Sequence, residues 1–127
     1  MEPGYYVYDK VGPRLVPRLR GDLRLSLVTA TFESEWLFYA PVVFVLANDQ
    51  AKVARKYKTR GYRISHLDQG ALLQNLSLAA TAHGLGACAV AGYFDEVLAR
   101  TLGYAGTDTF IASLVAMGQP TRLGHGA

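Results

Sequence analysis

The chain has 127 residues, half of them hydrophobic, which fits one domain that buries roughly two thirds of its surface. Thirteen Lys and Arg against ten Asp and Glu give a formal net charge of +3, far from the dense basic surface of nucleic-acid-binding proteins, so no nucleic-acid partner is expected. Because a single cysteine allows no internal disulfide and no apolar run is long enough to span a membrane, we expect a cytoplasmic protein with no membrane partner.

The first forty residues are predicted to form a hairpin followed by two short helices. The runs "GYYVYD" at 4–9 and "RLVPRL" at 14–19 are strand-like, the sequence "KVGP" between them is typical of a turn, and Pro17 places the second run at a sheet edge. Asp22 is predicted to be the N-cap of a first helix, and "SEWLFY" a short second helix that ends before Pro41.

The middle of the chain is predicted to contain a buried strand and a long helix. The run "VVFVLA" at 42–47 is apolar on both faces, which is typical of a strand covered on both sides. From about Ile64 to His83, apolar residues recur at helical spacing, and Gly84 supplies a C-terminal stop. The apolar surface of this helix exceeds what one sheet covers, so we expect burial against another subunit as well.

The last third of the chain is predicted to contain a strand, a helix and a final strand. "ACAVAG" at 87–92 is typical of a buried strand, which makes Cys88 a buried and inert thiol. "DEVLARTLG" is predicted to be a helix capped near Asp95, and "TFIASLVAMG" at 109–118 the last strand. This order of elements predicts a mixed α+β domain.

Cations and phenols are crowded into "VARKYKTRGYRI" at 53–64, directly before the long helix. Two interpretations stay open for this segment: a solvated basic surface, or the edge of an active site. In the second case Arg60 and Arg63 could hold a phosphate or an acidic peptide. The segment contains Arg55, Lys56, Lys58, Arg60 and Arg63 together with Tyr57 and Tyr62, and Lys52 lies just upstream.

The remaining polar residues of the long helix are predicted to have structural roles. His66, Asp68 and Asn75 interrupt an apolar pattern, and structural hydrogen bonding is their expected use. The histidines His66, His83 and His125 show no metal-ligand spacing with one another or with Cys88, so no metal site is predicted.

Several of these segments together resemble the C-terminal half of nitroreductase-like flavoproteins. They are "EPGYYVYD", "RGDL", "APVVFVLAND", "KYKTRGYR", "LDQGALLQNLSLAATAHGLGACAVAGYFDEVLARTLG" and "VAMGQP", and the resemblance covers roughly residues 2–120. It is nearest to the azoline dehydrogenases, which aromatise thiazolines and oxazolines in ribosomally made peptides. The resemblance implies a nitroreductase-like mixed sheet with a long central helix, truncated at the N-terminus. Residues 1–120 are then the C-terminal half of that domain, and residues 121–127 are a flexible tail.

The resemblance also implies a cofactor and a partner. Nitroreductase-like proteins usually bind FMN at a homodimer interface, and an N-terminal segment rich in Arg and Ser contacts the phosphate and the ring. The chain begins after the point where that segment would lie, which leaves two alternatives. Either a homodimer or a heteromer with another polypeptide completes the flavin site, or this half-domain binds no flavin and scaffolds a partner enzyme. The implied substrate is a peptide, and a general flavin nitroreductase is a third alternative.

The resemblance assigns roles to five residues. Lys56 and Tyr57 match the Lys-Tyr pair near the substrate of azoline dehydrogenases, where a base is needed; a solvated Lys beside a packed Tyr is the structural alternative. Ala91 and Gly92 match a small-residue pair at the flavin, where the absence of a Cβ lets the backbone approach the ring. Arg122 could replace a basic residue that the family carries before the proline of the last strand, where this chain has Gln119.

Overall fold

The computed structural model describes residues 1–120, which form two compact units. The first unit comprises Met1–Tyr39 and Gly92–Gly106, and the second comprises Ala40–Ala91 and the described residues from Thr107 onward. The mixture of strands and helices, with one long helix, confirms the predicted α+β fold. None of the helices in the described part of the chain combines the length and the hydropathy that a membrane span requires.

The first unit opens with the predicted hairpin. Strands β1 (Gly4–Asp9) and β2 (Arg14–Arg20) pair antiparallel, from Gly4 opposite Arg20 to Asp9 opposite Arg14. The register shifts after Tyr5, because Tyr5 faces Leu19 whereas Tyr6 faces Pro17. This irregularity is typical of a β-bulge, which lets a strand accommodate a residue that cannot donate to the ladder.

Three helical segments complete the first unit: α1 (Arg24–Ala30), a 3-10 helix (Glu35–Tyr39) and α4 (Asp95–Thr101). The predicted N-cap was wrong by one residue. Leu23 occupies the cap position, and the Asp22 carboxylate accepts the Arg24 backbone N–H at 3.0 Å instead. Phe94 rather than Asp95 precedes α4. Ala30, Leu37, Leu98 and Leu102 are buried.

The second unit is built on an antiparallel sheet with the order β3-β5-β4. Strand β5 (Thr109–Gly118) is central; it pairs with β3 (Val42–Asp49) on one side and with β4 (Gly86–Val90) on the other. Leu114, Val115 and Ala116 of β5 are buried, as expected for the middle of a sheet.

Two helices connect β3 to β4. Helix α2 (Gln50–Tyr57) and a 3-10 helix (Lys58–Arg60) precede α3 (Gly61–Ala82), which packs on β4 and β5. Helix α3 ends at Ala82, and Gly84, the predicted C-terminal stop, follows the cap residue His83 with φ at +68°. The Gly84 N–H donates to the Thr81 carbonyl and the Leu85 N–H to the Ala80 carbonyl, which is the Schellman pattern.

Strands β3 and β4 are more exposed than was predicted from the sequence. Val42 and Phe44 of β3 are exposed, although burial on both faces was predicted. Ala87, Cys88 and Ala89 of β4 are also exposed, so Cys88 is not the buried thiol that its apolar neighbours indicated. Apolar composition identified both strands correctly, but it does not say whether their faces are covered within one chain.

Candidate functional site

The cation-rich segment covers most of α2, the 3-10 turn Lys58–Arg60 and the first residues of α3. The Asp49 carboxylate accepts the Lys52 N–H at 3.0 Å and caps α2, and Lys58, with φ at +53°, ends it. A Cβ on Gly61 would lie 3.2 Å from Val53 Cγ1, so glycine lets the first turn of α3 pack closely on α2. We call residues 52–63 the basic junction.

Lys56 and Tyr57 are in contact at the end of α2. The Lys56 Nζ lies over the Tyr57 ring, 5.0 Å from the ring centroid, which is within the range of a cation–π interaction. Lys56 is exposed and Tyr57 is half-buried. The pair therefore presents an amine and a phenol side by side, with the amine open to solvent.

The basic side chains of this junction are free to bind an anion. Arg14, Arg20 and Arg24 of the first unit all form ion pairs with carboxylates. Within residues 1–120, no ion pair involves Lys52, Arg55, Lys56, Lys58, Arg60 or Arg63. Exposed cations that make no ion pair can bind an anion such as a phosphate group, because charge-assisted hydrogen bonds need donors that are not already used.

Ala91 and Gly92 follow β4, where the chain passes from the second unit to the first. The Gly92 carbonyl accepts the Phe32 N–H at 2.9 Å, and no hydrogen bond of the Gly92 N–H is seen within residues 1–120. A Cβ on Gly92 would lie 3.2 Å from the Phe32 ring, so this side of the glycine is already occupied. Packing of Phe32 is thus a second physical reason for glycine at this position.

The fifth predicted site residue, Arg122, and the predicted tail 121–127 lie outside the described residues. Among residues 1–120, no three His, Cys, Asp or Glu side chains are grouped as metal ligands.

One face of α3 carries four exposed apolar residues, with the polar Gln74 among them. Leu67 is 68% exposed and Leu78 is 58% exposed, and both lie on the helix face that also carries Ala71 and Ala82. We call these four residues the α3 stripe. The opposite face, which includes Ser65 and Ala80, is buried.

Two of the polar residues of α3 lack the expected structural hydrogen bonds. Asp68 and Asn75 are exposed and make no hydrogen bond within the described part of the chain. Both lie where water can satisfy them, which is why no protein partner is needed. His66 does make the predicted structural bond, to the carbonyl of Tyr62 at 2.8 Å.

Sequence reasoning missed an aromatic cluster at the start of α3. The His66 ring is stacked on Phe110 with centroids 5.0 Å apart and 12° between the planes, and the Tyr62 centroid is 4.4 Å from that of His66. We call these three residues the aromatic cluster. The spacing of Tyr62 and His66, four residues apart on one helix, indicated their contact. Phe110 lies on β5, and no local pattern links it to them.

Tyr5, Asp22 and Tyr93, all in the first unit, have side chains whose pKa is shifted by their surroundings. Burial, together with a hydrogen bond between the Tyr5 and Tyr104 hydroxyls at 2.6 Å, raises the pKa of Tyr5. Burial, followed by the nearby Asp95 carboxylate, raises the pKa of Tyr93. Hydrogen bonds from Arg24 lower the pKa of the exposed Asp22 to about 2.

The chain is similar to known proteins over most of its length. A protein of Methanocaldococcus jannaschii, whose name assigns it to the nitroreductases, is 29% identical over 102 residues, which are 80% of this chain and 52% of the relative. The chain thus spans about half the length of that relative.

Two solved structures share the fold. A protein from Anabaena variabilis named as a nitroreductase is 28% identical, with a TM-score of 0.85 over 94% of this chain and 24% of its own. A chain of the E. coli microcin synthetase McbBCD complex, solved with truncated pro-MccB17 bound, is 26% identical, with a TM-score of 0.81 over 91% of this chain and 44% of its own. The family model of the nitroreductases matches residues 8–119, and the chain therefore belongs to the nitroreductase family.

Proposed function

We propose that this chain is a subunit of an FMN-dependent dehydrogenase that oxidises azolines to azoles in a ribosomally made peptide. The observation that carries this proposal is the contact between the Lys56 ammonium group and the Tyr57 ring at the basic junction. This is the pair that the resemblance to azoline dehydrogenases assigns to the substrate. The similarity to a microcin synthetase chain supports the same class of substrate.

The chemistry requires a base beside a hydride acceptor. Oxidising an azoline to an azole removes two hydrogens: one leaves carbon with its electron pair as a hydride, and one leaves the neighbouring carbon as a proton. FMN, when bound, supplies the two-electron acceptor. In this proposal Lys56 in its neutral amine form, or Tyr57 as the phenolate, takes the proton, and their contact places the two groups side by side.

Residues of this chain would contribute to the cofactor site from two segments. The unpaired cations of the basic junction would bind the phosphate, with Arg122 as a further candidate. Ala91 and Gly92 would lie at the ring edge, since the Gly92 N–H makes no hydrogen bond within residues 1–120. A second subunit, either another copy of the chain or a different polypeptide, would complete the site across the α3 stripe.

The test compares two exposed lysines in the assembly purified with the products of neighbouring genes. Lys56→Ala removes the proposed base, whereas Lys10→Ala removes an exposed lysine of the turn between β1 and β2, outside the basic junction, and serves as the control. We expect Lys56→Ala to lower turnover by about 10²-fold or more and Lys10→Ala to leave it nearly unchanged. Turnover is measured by mass spectrometry as the loss of two hydrogens from an azoline peptide. Equal rates for the two variants, or an assembly with no flavin absorbance and no activity, would reject the proposal.

A second candidate function is a flavin-free half-domain that dimerises or scaffolds a partner enzyme. The exposed α3 stripe and the packing of Phe32 on Gly92 favour it, because both have structural explanations that need no cofactor. Titration of the purified assembly with FMN separates the two functions: the scaffold predicts no saturable binding. Reduction of a nitroaromatic compound by a nicotinamide cofactor, assayed in parallel, tests the general nitroreductase.

A further inference from the structure

We propose that His66 binds the peptide substrate by accepting a hydrogen bond from a substrate backbone N–H through its Nε2 atom. This inference rests on the proposed function and adds to it a substrate-binding residue that is separate from Lys56 and Tyr57. It is carried by the geometry of the aromatic cluster.

The tautomer of His66 follows from its hydrogen bond. The Nδ1 atom lies 2.8 Å from the Tyr62 carbonyl oxygen, which can only accept. Nδ1 therefore carries the proton, and in the neutral ring Nε2 carries a lone pair. In this neutral form, His66 presents an acceptor to a ligand at its outer edge.

The orientation of the ring is also fixed. Phe110 stacks on the imidazole nearly parallel, 12° between planes, and Tyr62 lies against it with centroids 4.4 Å apart. A ring held by two aromatic neighbours and one hydrogen bond has few alternative rotamers, so little conformational entropy is lost when a ligand binds.

The other ring nitrogen of His66, Nε2, makes no hydrogen bond within residues 1–120. His66 is exposed, and within residues 1–120 its recorded hydrogen bond is the one made by Nδ1. Nδ1 orients the ring, and Nε2 is left for a donor outside the described residues, which is water in the free chain and a substrate N–H in the complex.

The location connects His66 to the proposed site. Tyr57 ends α2 and Tyr62 lies in the first turn of α3, with only one 3-10 turn between the helices. The close packing of Gly61 on Val53 and Ala54 keeps the two helices together at this point. A peptide of several residues whose azoline lies at Lys56 and Tyr57 can therefore extend along the start of α3.

The chemistry of the substrate decides which of its groups His66 can bind. The nitrogen of an azoline ring carries no hydrogen and is itself an acceptor, so it cannot pair with Nε2. The backbone N–H groups of residues beside the ring are donors. The inferred contact is therefore with the peptide flanking the azoline, and it contributes to binding and not to bond breaking.

Two substitutions separate the acceptor from the structural bond. His66→Asn places an amide N–H near the position of Nδ1 and removes the outer acceptor, whereas His66→Gln places an amide oxygen near the position of Nε2. We expect His66→Asn to raise KM for the azoline peptide about three- to tenfold with kcat unchanged, the effect of one lost hydrogen bond. His66→Gln should restore most of that loss.

The outcomes distinguish this inference from the proposed function. An unchanged KM for His66→Asn, in an assembly where Lys56→Ala lowers turnover, would overturn the inference alone. An unaffected Lys56→Ala variant would instead reject the proposed function.

A second measurement keeps the inference testable if the Asn variant fails to fold. Nitrogen NMR of the unsubstituted assembly reports the His66 tautomer and the state of each ring nitrogen. Saturation with the azole product peptide should shift the Nε2 resonance and leave Nδ1 protonated. An Nε2 resonance that does not move at saturation contradicts the inference.

Discussion

Gly92 has two possible reasons to be glycine, and a pair of substitutions separates them. One reason is packing, because a Cβ would lie 3.2 Å from Cδ2 of the Phe32 ring. The other is the close approach of a flavin to its backbone N–H. The two reasons differ in what relieves the substitution: a smaller residue at position 32 removes the packing conflict, but it gives a cofactor no additional room at the N–H.

We predict that Gly92→Ala lowers the free energy of unfolding by about 1–2 kcal/mol through overpacking. In a chain that also carries Phe32→Ala, Gly92→Ala should lower the free energy of unfolding by less than it does in the unsubstituted chain. A double-mutant cycle measures this difference. Phe32 is half exposed, so its own replacement leaves a folded chain to compare.

FMN affinity, measured in parallel, gives the functional half of this test. If Gly92 contacts the flavin, the Gly92→Ala substitution weakens FMN binding in both backgrounds. Affinity that recovers fully with Phe32→Ala would show that glycine is needed only for packing.

At the scale of elements, glycines of the second unit differ sharply in their surroundings. A Cβ on Gly118, at the end of β5, would lie 2.7 Å from Cδ of Pro41, and a proline ring cannot move aside as a flexible side chain can. Gly70 lies in the middle of α3, and a Cβ there would meet nothing within 4 Å. Replacing glycine by alanine should therefore lower the free energy of unfolding at position 118 and raise it at position 70.

We predict that Gly118→Ala destabilises the chain by about 1–3 kcal/mol. Gly70→Ala should stabilise it by about 0.5–1 kcal/mol, because alanine reduces the conformational freedom of the unfolded chain. Denaturant unfolding monitored by circular dichroism measures both. If both substitutions changed the free energy of unfolding in the same direction, either the contact between Gly118 and Pro41 or the open space at Gly70 would be contradicted.

The elements differ in how far the sequence could predict them. The hairpin, α3, α4 and β5 follow from alternation, helical spacing and turn residues, and these are local properties. Helix α2 was not predicted, because "QAKVARKY" is rich in cations and has few apolar residues to show a period. Its start is encoded by Asp49, whose side chain caps it, and that signal was not used.

The candidate site was predictable only in part, because local sequence patterns do not specify contacts between distant segments. Lys56 and Tyr57 are adjacent in the chain, so the sequence and the resemblance together place them side by side. The contact of His66 with Phe110 joins a helix to a strand that follows much later, which no local pattern specifies. Exposure of Cys88 was missed because apolar neighbours in sequence do not cover a strand in space.

At the scale of the whole molecule, the chain spans about half of the relative from Methanocaldococcus jannaschii, and it exposes apolar surface on α3 and β3. Exposed contiguous apolar surface marks interaction sites. We propose that the α3 stripe contacts a second subunit and that FMN binds where the two meet. Leu67 of the stripe and Leu25 of α1 allow a matched test, since both are helical leucines that are 68% exposed.

Sedimentation velocity, recorded at both protein and flavin wavelengths, tests that claim most directly. We predict that flavin absorbance sediments with an assembly larger than the 13.8 kDa chain, that Leu67→Asp releases both flavin and partner, and that Leu25→Asp changes neither. An aspartate buried in an apolar contact costs several kcal/mol, enough to dissociate a subunit, whereas the same side chain in water costs little. Flavin that sediments with a single chain, or a Leu67→Asp assembly as stable as the Leu25→Asp one, would contradict the account.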